Sequence, residues 1–275
     1  MKIDLTSASN INDQNTSPKN TQYNTYHFLV SLYCILFFLS NITASKVIIL
    51  FNLSFYTAIV PAAIFIYSVS FFIDDIITDI YGFNAARNAI KTALKLNFIA
   101  LILLFLIALI HGINQHDPIY EITFGQYGIT IRVFILSFIS FAISELTNSY
   151  ILSKLKIRDY RNHKPQSLSY NPLKNLRLIR RFLLSTSIGA LLDSFIFCFG
   201  AFSFTGLSFQ QIFMMAVTQY VIKMLYELLA CPFITSTLCT YIKRKEKIDT
   251  LDKQLTFNIS GFSANHTNRL NQITH

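Results

Sequence analysis

Tryptophan is absent from this 275-residue chain, and charge is scarce: Asp, Glu, Lys and Arg together make up 13% of it, where a soluble domain carries about 25%. That shortage excludes an ordinary soluble domain of this length. The four cysteines, Cys34, Cys198, Cys231 and Cys239, all fall in apolar segments. None of them has metal-ligand spacing to another, and no small disulfide framework is present, so they read as small buried hydrophobes. No metal site and no cofactor are expected. A phosphate-binding Gly-rich loop is also missing, which argues against ATP-driven pumping by this polypeptide alone. None of the aspartates follows a glycine, which counts against an intramembrane aspartyl protease.

What is present is apolar. Hydrophobic residues make up 52% of the chain, and a helix needs about 20 of them in a row to cross a bilayer. Six segments meet that need: roughly 26–50, 56–78, 90–110, 131–152, 181–203 and 209–241. The last is long enough to tilt or to hold a break at Pro232. With no Trp, tyrosine supplies the interfacial belt: Tyr26, Tyr56, Tyr81, Tyr127, Tyr150 and Tyr241 all fall near span ends.

The net charge of +9 is distributed in a way that sets orientation. Arg87, Lys91 and Lys95 follow the second span; Lys154, Lys156, Arg158, Arg161, Lys164, Lys174, Arg177, Arg180 and Arg181 follow the fourth; Lys243, Arg244, Lys245 and Lys247 follow the sixth. The connections at 111–130 and 203–209 have no Lys or Arg. Basic and base-free segments therefore alternate, and the positive-inside rule predicts an all-α integral membrane protein of six transmembrane helices with both termini in the cytoplasm. Residues 1–25 read as a flexible polar tail, 26–242 as the transmembrane domain with a solvated basic loop at 153–180, and 243–275 as a basic and then polar tail. Orientation and anionic lipid account for the basic clusters, so no direct nucleic-acid partner is expected.

Several ionisable residues sit inside these spans: Asp74, Asp75, Asp79, Glu145, Asp193, Lys223 and Glu227. Each costs about 2.5–3.5 kcal/mol at a helix centre on insertion scales, so such groups face the bundle interior, pair, or meet water and ligand. Asp75 and Asp79 are four apart and share a helix face; two like charges there resist joint ionisation unless a cation, proton or donor-rich ligand intervenes. Asp74 equally suits a position that reaches water at the cytoplasmic end. Lys223 and Glu227, also four apart, have the spacing to neutralise each other. Asp193 has no local partner and lies near mid-span. Glu145 and Asn148 point the same way on the fourth helix, and Lys46 has the reach to snorkel where Asn41, one turn deeper, does not. Carboxylates, amides and aromatic rings in one cavity suit a flat heterocycle rich in hydrogen-bond donors.

The ordered motifs resemble those of the queuosine precursor transporter family. SNITASK (Ser40–Lys46) is similar to its first-helix Asn-to-Lys motif, and DDIITDIYGFNAAR (Asp74–Arg87) to its acidic, aromatic-Gly and Arg signature. RVFILSFISFAISELTNSYIL, STSIGALLDSFIFCFGAF and QYVIKMLYELLACP resemble its fourth, fifth and sixth helices. Glu145 and Asn148 stand where the family often has Gln and Asp, and Tyr67-Ser68 replaces a Phe-Pro. The resemblance implies a transporter, not an enzyme, that imports a 7-deazaguanine or queuine across the inner membrane. It implies a substrate site of Asp75, Asp79 and Asp193, completed by Glu145 and Asn148, with Lys223 holding a carboxylate and Asn41 offering an amide. Three alternatives stay open: a carrier of another vitamin-like or purine solute, a substrate-binding subunit that needs a separate ATPase, and, more remotely, an intramembrane aspartyl enzyme. A homo-oligomer or an energising partner is compatible with all of the transport readings.

Overall fold

The computed structural model describes residues 24–44, 46–53, 56–110, 129–162, 175–203, 205–252 and 268–269. The polar N-terminal tail, the 111–128 connection, the middle of the basic segment and most of the C-terminal tail lie outside the described residues. The elements run α1 (Asn24–Ala44), β1 (Val47–Leu53), β2 (Tyr56–Pro61), α2 (Ile64–Tyr81), α3 (Phe83–Ala108), α4 (Ile129–Asn162), α5 (Leu176–Phe202), α6 (Phe209–Ala230), a π-helical turn (Cys231–Thr235), α7 (Ser236–Glu246), β3 (Thr250–Leu251) and β4 (Asn268–Arg269). Among the described residues, five helical stretches are long and apolar enough to cross a membrane: Thr25–Ala44, Phe83–Ala108, Arg132–Asn162, Leu176–Phe202 and Phe209–Glu246. This is a mostly helical, multi-pass membrane protein. On α3 the residues Leu96, Phe98, Ile99, Ile102, Leu103 and Leu106 are all exposed, a continuous apolar surface that water would not tolerate and hydrocarbon does.

α2 is the central helix. It packs against α1, α3, α4, α6 and α7, and from Ser70 to Ile80 every one of its residues is buried. Its 18 residues span about 27 Å at 1.5 Å per residue. A helix sheathed by protein on all sides does not need an apolar lipid face, and this is why α2 holds three aspartates. It ends at Gly82, whose φ of 87° turns the chain sharply into α3. The buried N–H of Phe83, which has no partner within the first turn of α3, donates to the Asp252 carboxylate at 2.9 Å.

Several expectations need correction. The first span does not run to residue 50: α1 stops at Ala44, and Val47–Leu53 pairs antiparallel with Tyr56–Pro61 in a hairpin with a register shift at Ile49/Phe51. An apolar run by itself does not separate helix from strand, and the β-branched Val47-Ile48-Ile49 favours the strand. The chain is otherwise mostly helical, and the strands Val47–Leu53 and Tyr56–Pro61 are a local exception to the all-α expectation. The basic segment is not a loop from 153: α4 continues to Asn162, with Leu152, Lys156 and Asp159 facing inward at helical spacing, and α5 begins at Leu176. The C-terminal segment is not solvated from Ile248 onward, because Thr250 and Asp252 are buried against the bundle. Pro232 does not break the last helix. It lacks the N–H that an α-turn would use, and the ladder widens into the π-turn before resuming as α7.

An apolar cluster marks the hairpin end of the bundle. Ala44, Ala63, Val133, Phe197, Phe202 and Met215 join the end of α1, the start of α2, the start of α4, the end of α5 and the start of α6. At the opposite end the start of α1 meets the start of α3, where the Tyr26 hydroxyl donates to the Ala85 carbonyl at 3.1 Å. The end of α2 meets the end of α7 there, where the Tyr81 hydroxyl donates to Glu246 at 2.7 Å.

Candidate substrate cavity and the buried acids around it

Between α1, α2, α4, α5 and α6, toward the hairpin end, lies a small cavity of about 30 Å³. That is room for a water or two, well below the range of about 300–1,000 Å³ for small-molecule sites, so a solute enters only where these walls part. Its polar wall is made by Ser40, Ser137, Ser140, Asp193, Gln219 and Lys223, and its aromatic wall by Tyr67 and Phe197. Asp193 on α5 forms a salt bridge with Lys223 on α6, and the Tyr67 hydroxyl on α2 donates to the other Asp193 oxygen at 3.2 Å. The Lys223 ammonium also lies 4.8 Å from the Tyr67 ring centre, in cation–π range. The acid is thus fixed in place by a cation and a phenol from two other helices. Asn41 accepts from the Ser137 hydroxyl beside this wall, and its own amide donor has no partner.

Behind the cavity α2 meets α4 in a second acidic group. The Asn148 amide donates to Asp75 at 2.9 Å and to Asp74 at 3.2 Å. Ser149 donates to Asp74 at 2.7 Å, and Thr186 on α5 donates to Asp75 at 3.0 Å. Asp74 is fully buried, so it does not reach water at the basic end of the bundle; α7 and the chain beyond it cover that end of α2. Glu145 is fully buried with neither carboxyl oxygen partnered. Glu227 is in the same position, with the Cys231 thiol alongside. Glu227 and Lys223 do not pair, because Lys223 turns to Asp193 instead.

Asp79 lies in a third setting, at the basic end. Arg181 reaches one of its carboxylate oxygens at 3.0 Å and Lys243 the other at 2.5 Å. The Lys156 ammonium donates to its backbone carbonyl. Lys156 and Lys243 also hold Asp249 at 2.6 and 2.9 Å, and Arg181 reaches Asp159 at 3.4 Å. Burial opposes the charge on Asp249, but the two lysines outweigh it and bring its pKa down to about 2.

Of the expected site residues, the structure gathers Asp193 and Lys223 on the cavity wall with Asn41 beside it, and places Asp75, Glu145 and Asn148 behind it. Asp79 stands apart in the ionic network. Ser137, Ser140 and Gln219 were not among the expected site residues, and Tyr67 stood out only as a departure from the family's Phe-Pro. A signal for them was present: Gln219, Lys223 and Glu227 recur every four residues on α6, and Ser137, Ser140 and Ser144 follow helical spacing on α4. No spacing signals Arg181, Lys243 and Lys156 as partners of Asp79, since they come from three different segments.

A family model described as "Putative vitamin uptake transporter", the queuosine precursor transporter family, matches residues 61–237. That is well over half of the chain and includes α2 with its aspartates, Glu145, Asn148, Asp193 and Lys223, though not Asn41. The chain belongs to this family. No curated protein and no solved structure matches it significantly.

Proposed function

From that membership and the cavity's chemistry we propose that the protein imports a queuosine precursor, 7-cyano-7-deazaguanine or 7-aminomethyl-7-deazaguanine, or the free base queuine. It does so across the inner membrane, as a six-helix carrier with α2 as the additional span and both termini in the cytoplasm. The gathering of the basic ends of α3, α4, α5 and α7 at one end of the bundle supports that orientation.

The observation that carries the reading is the Tyr67–Asp193–Lys223 arrangement. A deazaguanine presents a flat ring with an N–H and NH2 edge and a carbonyl. A buried carboxylate accepts from that edge, the Gln219 amide or a serine hydroxyl donates to the carbonyl, and Tyr67 and Phe197 offer ring faces for stacking. A ligand lacking the donor edge would leave Asp193 and its neighbours with unpaired buried groups, which is a strong basis for selection. Asp75, Asn148 and Glu145 form the layer behind this wall. Alternating exposure of the cavity to the two sides completes transport.

The test is labelled uptake in cells that lack both the synthesis and the import of these bases, with queuosine in tRNA as the readout. The native chain restores queuosine, and a normally expressed Asp193→Asn variant does not. No restoration by the native chain with any of the three bases would discard the assigned substrates and leave another vitamin-like or purine solute as the cargo.

A further inference from the structure

Five carboxyl groups from four helices converge on the cavity and the layer behind it: Asp74, Asp75, Glu145, Asp193 and Glu227, all buried. Among the described residues, the cation bonded within this group is Lys223, paired with Asp193. The groups that face Glu145 come from every helix around it. They are Tyr33 of α1, Tyr67, Asp74 and Asp75 of α2, Asp193 of α5 and Lys223 of α6. The cations of α3 (Arg87, Lys91 and Lys95) are in its first half, at the basic end of the bundle. Glu145 receives no hydrogen bond on either oxygen. The fully buried Tyr33 hydroxyl and the Asn148 carbonyl oxygen lack partners as well.

An ionised carboxylate enclosed without donors or a cation is so unfavourable that the group takes a proton instead. Donor-poor and set among acids, Glu145 is built to hold a proton rather than a charge. Lys223 stands between two acids with charge enough for one. With Glu145 neutral it is committed to Asp193 and the cavity wall is complete. If Glu145 loses its proton, Lys223 is drawn toward the new charge and away from Asp193.

We propose that Glu145 is the site of a transported proton and that the protein is a proton–substrate symporter. This rests on the transport reading above. One proton binds the Glu145 carboxylate from the side to which the cavity opens. The resulting carboxylic acid leaves Lys223 on Asp193, and the substrate binds the completed wall. After exposure to the other side, substrate departure and proton release follow one another. Because the proton favours the substrate site, the substrate favours the proton by the same factor.

The full chain in proteoliposomes, with labelled 7-cyano-7-deazaguanine, separates the two readings. Exchange at equal pH on both sides tests the substrate; an imposed gradient, acid outside, tests coupling. With one proton per substrate, a gradient of one pH unit sustains up to about tenfold accumulation. In Glu145→Gln, which mimics the protonated acid, the ratio of gradient-driven to exchange uptake falls to about one, whatever the absolute rate of exchange. Native exchange that ignores the gradient, or a Glu145→Gln protein that still accumulates, overturns the proposal. The infrared C=O stretch of the substrate-free protein at pH 7 gives a readout independent of any cargo. A protonated-carboxyl band that shrinks in Glu145→Gln is the expected result, and a spectrum unchanged by that substitution overturns the proposal whatever the substrate.

Discussion

Asp75 and Asp79 stand one turn apart on α2, equally buried, in opposite surroundings. Asp79 is held by the Arg181 guanidinium and the Lys243 ammonium, in a network that ties α2 to α4, α5, α7 and the chain beyond α7. Asp75 receives only neutral donors, Asn148 and Thr186, and its charged neighbours are acids. The same side chain therefore serves as an ionic fastener at the basic end and as part of an acid-rich, cation-poor layer at mid-bundle. Burial alone does not set the role of an intramembrane aspartate; the count of cations within reach does.

The largest predicted effect breaks the first region. Asp79→Asn removes the acid that Arg181 and Lys243 share and leaves the network, with Asp159 and Asp249 remaining, one buried positive charge in excess, a loss of about 3 kcal/mol. Adding Lys243→Gln to it should recover part of that loss, since one uncompensated charge is then removed. Asp75→Asn, by contrast, trades hydrogen bonds in a layer that holds no ion pair and should lose about 1 kcal/mol or less while uptake falls. The four buried free cysteines make thermal unfolding followed with a thiol-reactive dye a suitable assay for all three variants. If the Asp75 and Asp79 variants unfolded at the same temperature, the contrast between the regions would be wrong.

A change of pH sharpens the comparison with an effect of intermediate size. The folded pKa of Asp249 is depressed to about 2 by Lys156 and Lys243, below the ordinary value of about 3.9. Its stabilising contribution, on the order of 2 kcal/mol, is fully present above pH 4 and is lost as pH falls toward 2. Thermal stability of the native protein should decline across that window, and Asp249→Asn should flatten the decline. An identical acid profile in the two proteins would remove Asp249 from the network.

The smallest effect falls between α4 and α5 in the second region. A methyl group at Gly189 would lie 3.0 Å from the Asn148 Cβ and 3.2 Å from the Ser144 carbonyl oxygen. Gly189→Ala should lower stability by about 1 kcal/mol and displace Asn148 from the two aspartates. Unfolding temperature and exchange rate, measured side by side, should both fall modestly.

The helices of the bundle were legible because lipid-length apolar runs and alternating basic clusters leave few other readings. The hairpin formed by Val47–Leu53 and Tyr56–Pro61 was not, since Val47–Leu53 is apolar but for Asn52 and carries no period to separate strand from helix. Asp193 and Lys223 were each visible as buried charges, but their pairing spans 30 residues and two helices, whereas the four-residue step from Lys223 to Glu227 pointed to a local pair. Asp79 looked like its neighbour Asp75 because the residues that neutralise it, Arg181 and Lys243, sit in segments that read as loop and tail. Spacing along a helix reports which residues share a face; it says nothing of what the neighbouring helix brings to that face.

The enclosure of α2 also bears on how the protein is made. Three aspartates at roughly 2.5–3.5 kcal/mol each at full depth leave this helix a poor candidate to leave the translocon for lipid on hydrophobicity alone. Between Ser70 and Ile80 it has no residue left to present to acyl chains once assembled, and its aspartates find their partners on α4, α5 and α7, which are synthesised later. Until those helices arrive, α1 and α3 are the only sheath available, so the three must enter together. The segment with the most acid in the bundle is the one the bilayer would refuse as a single helix.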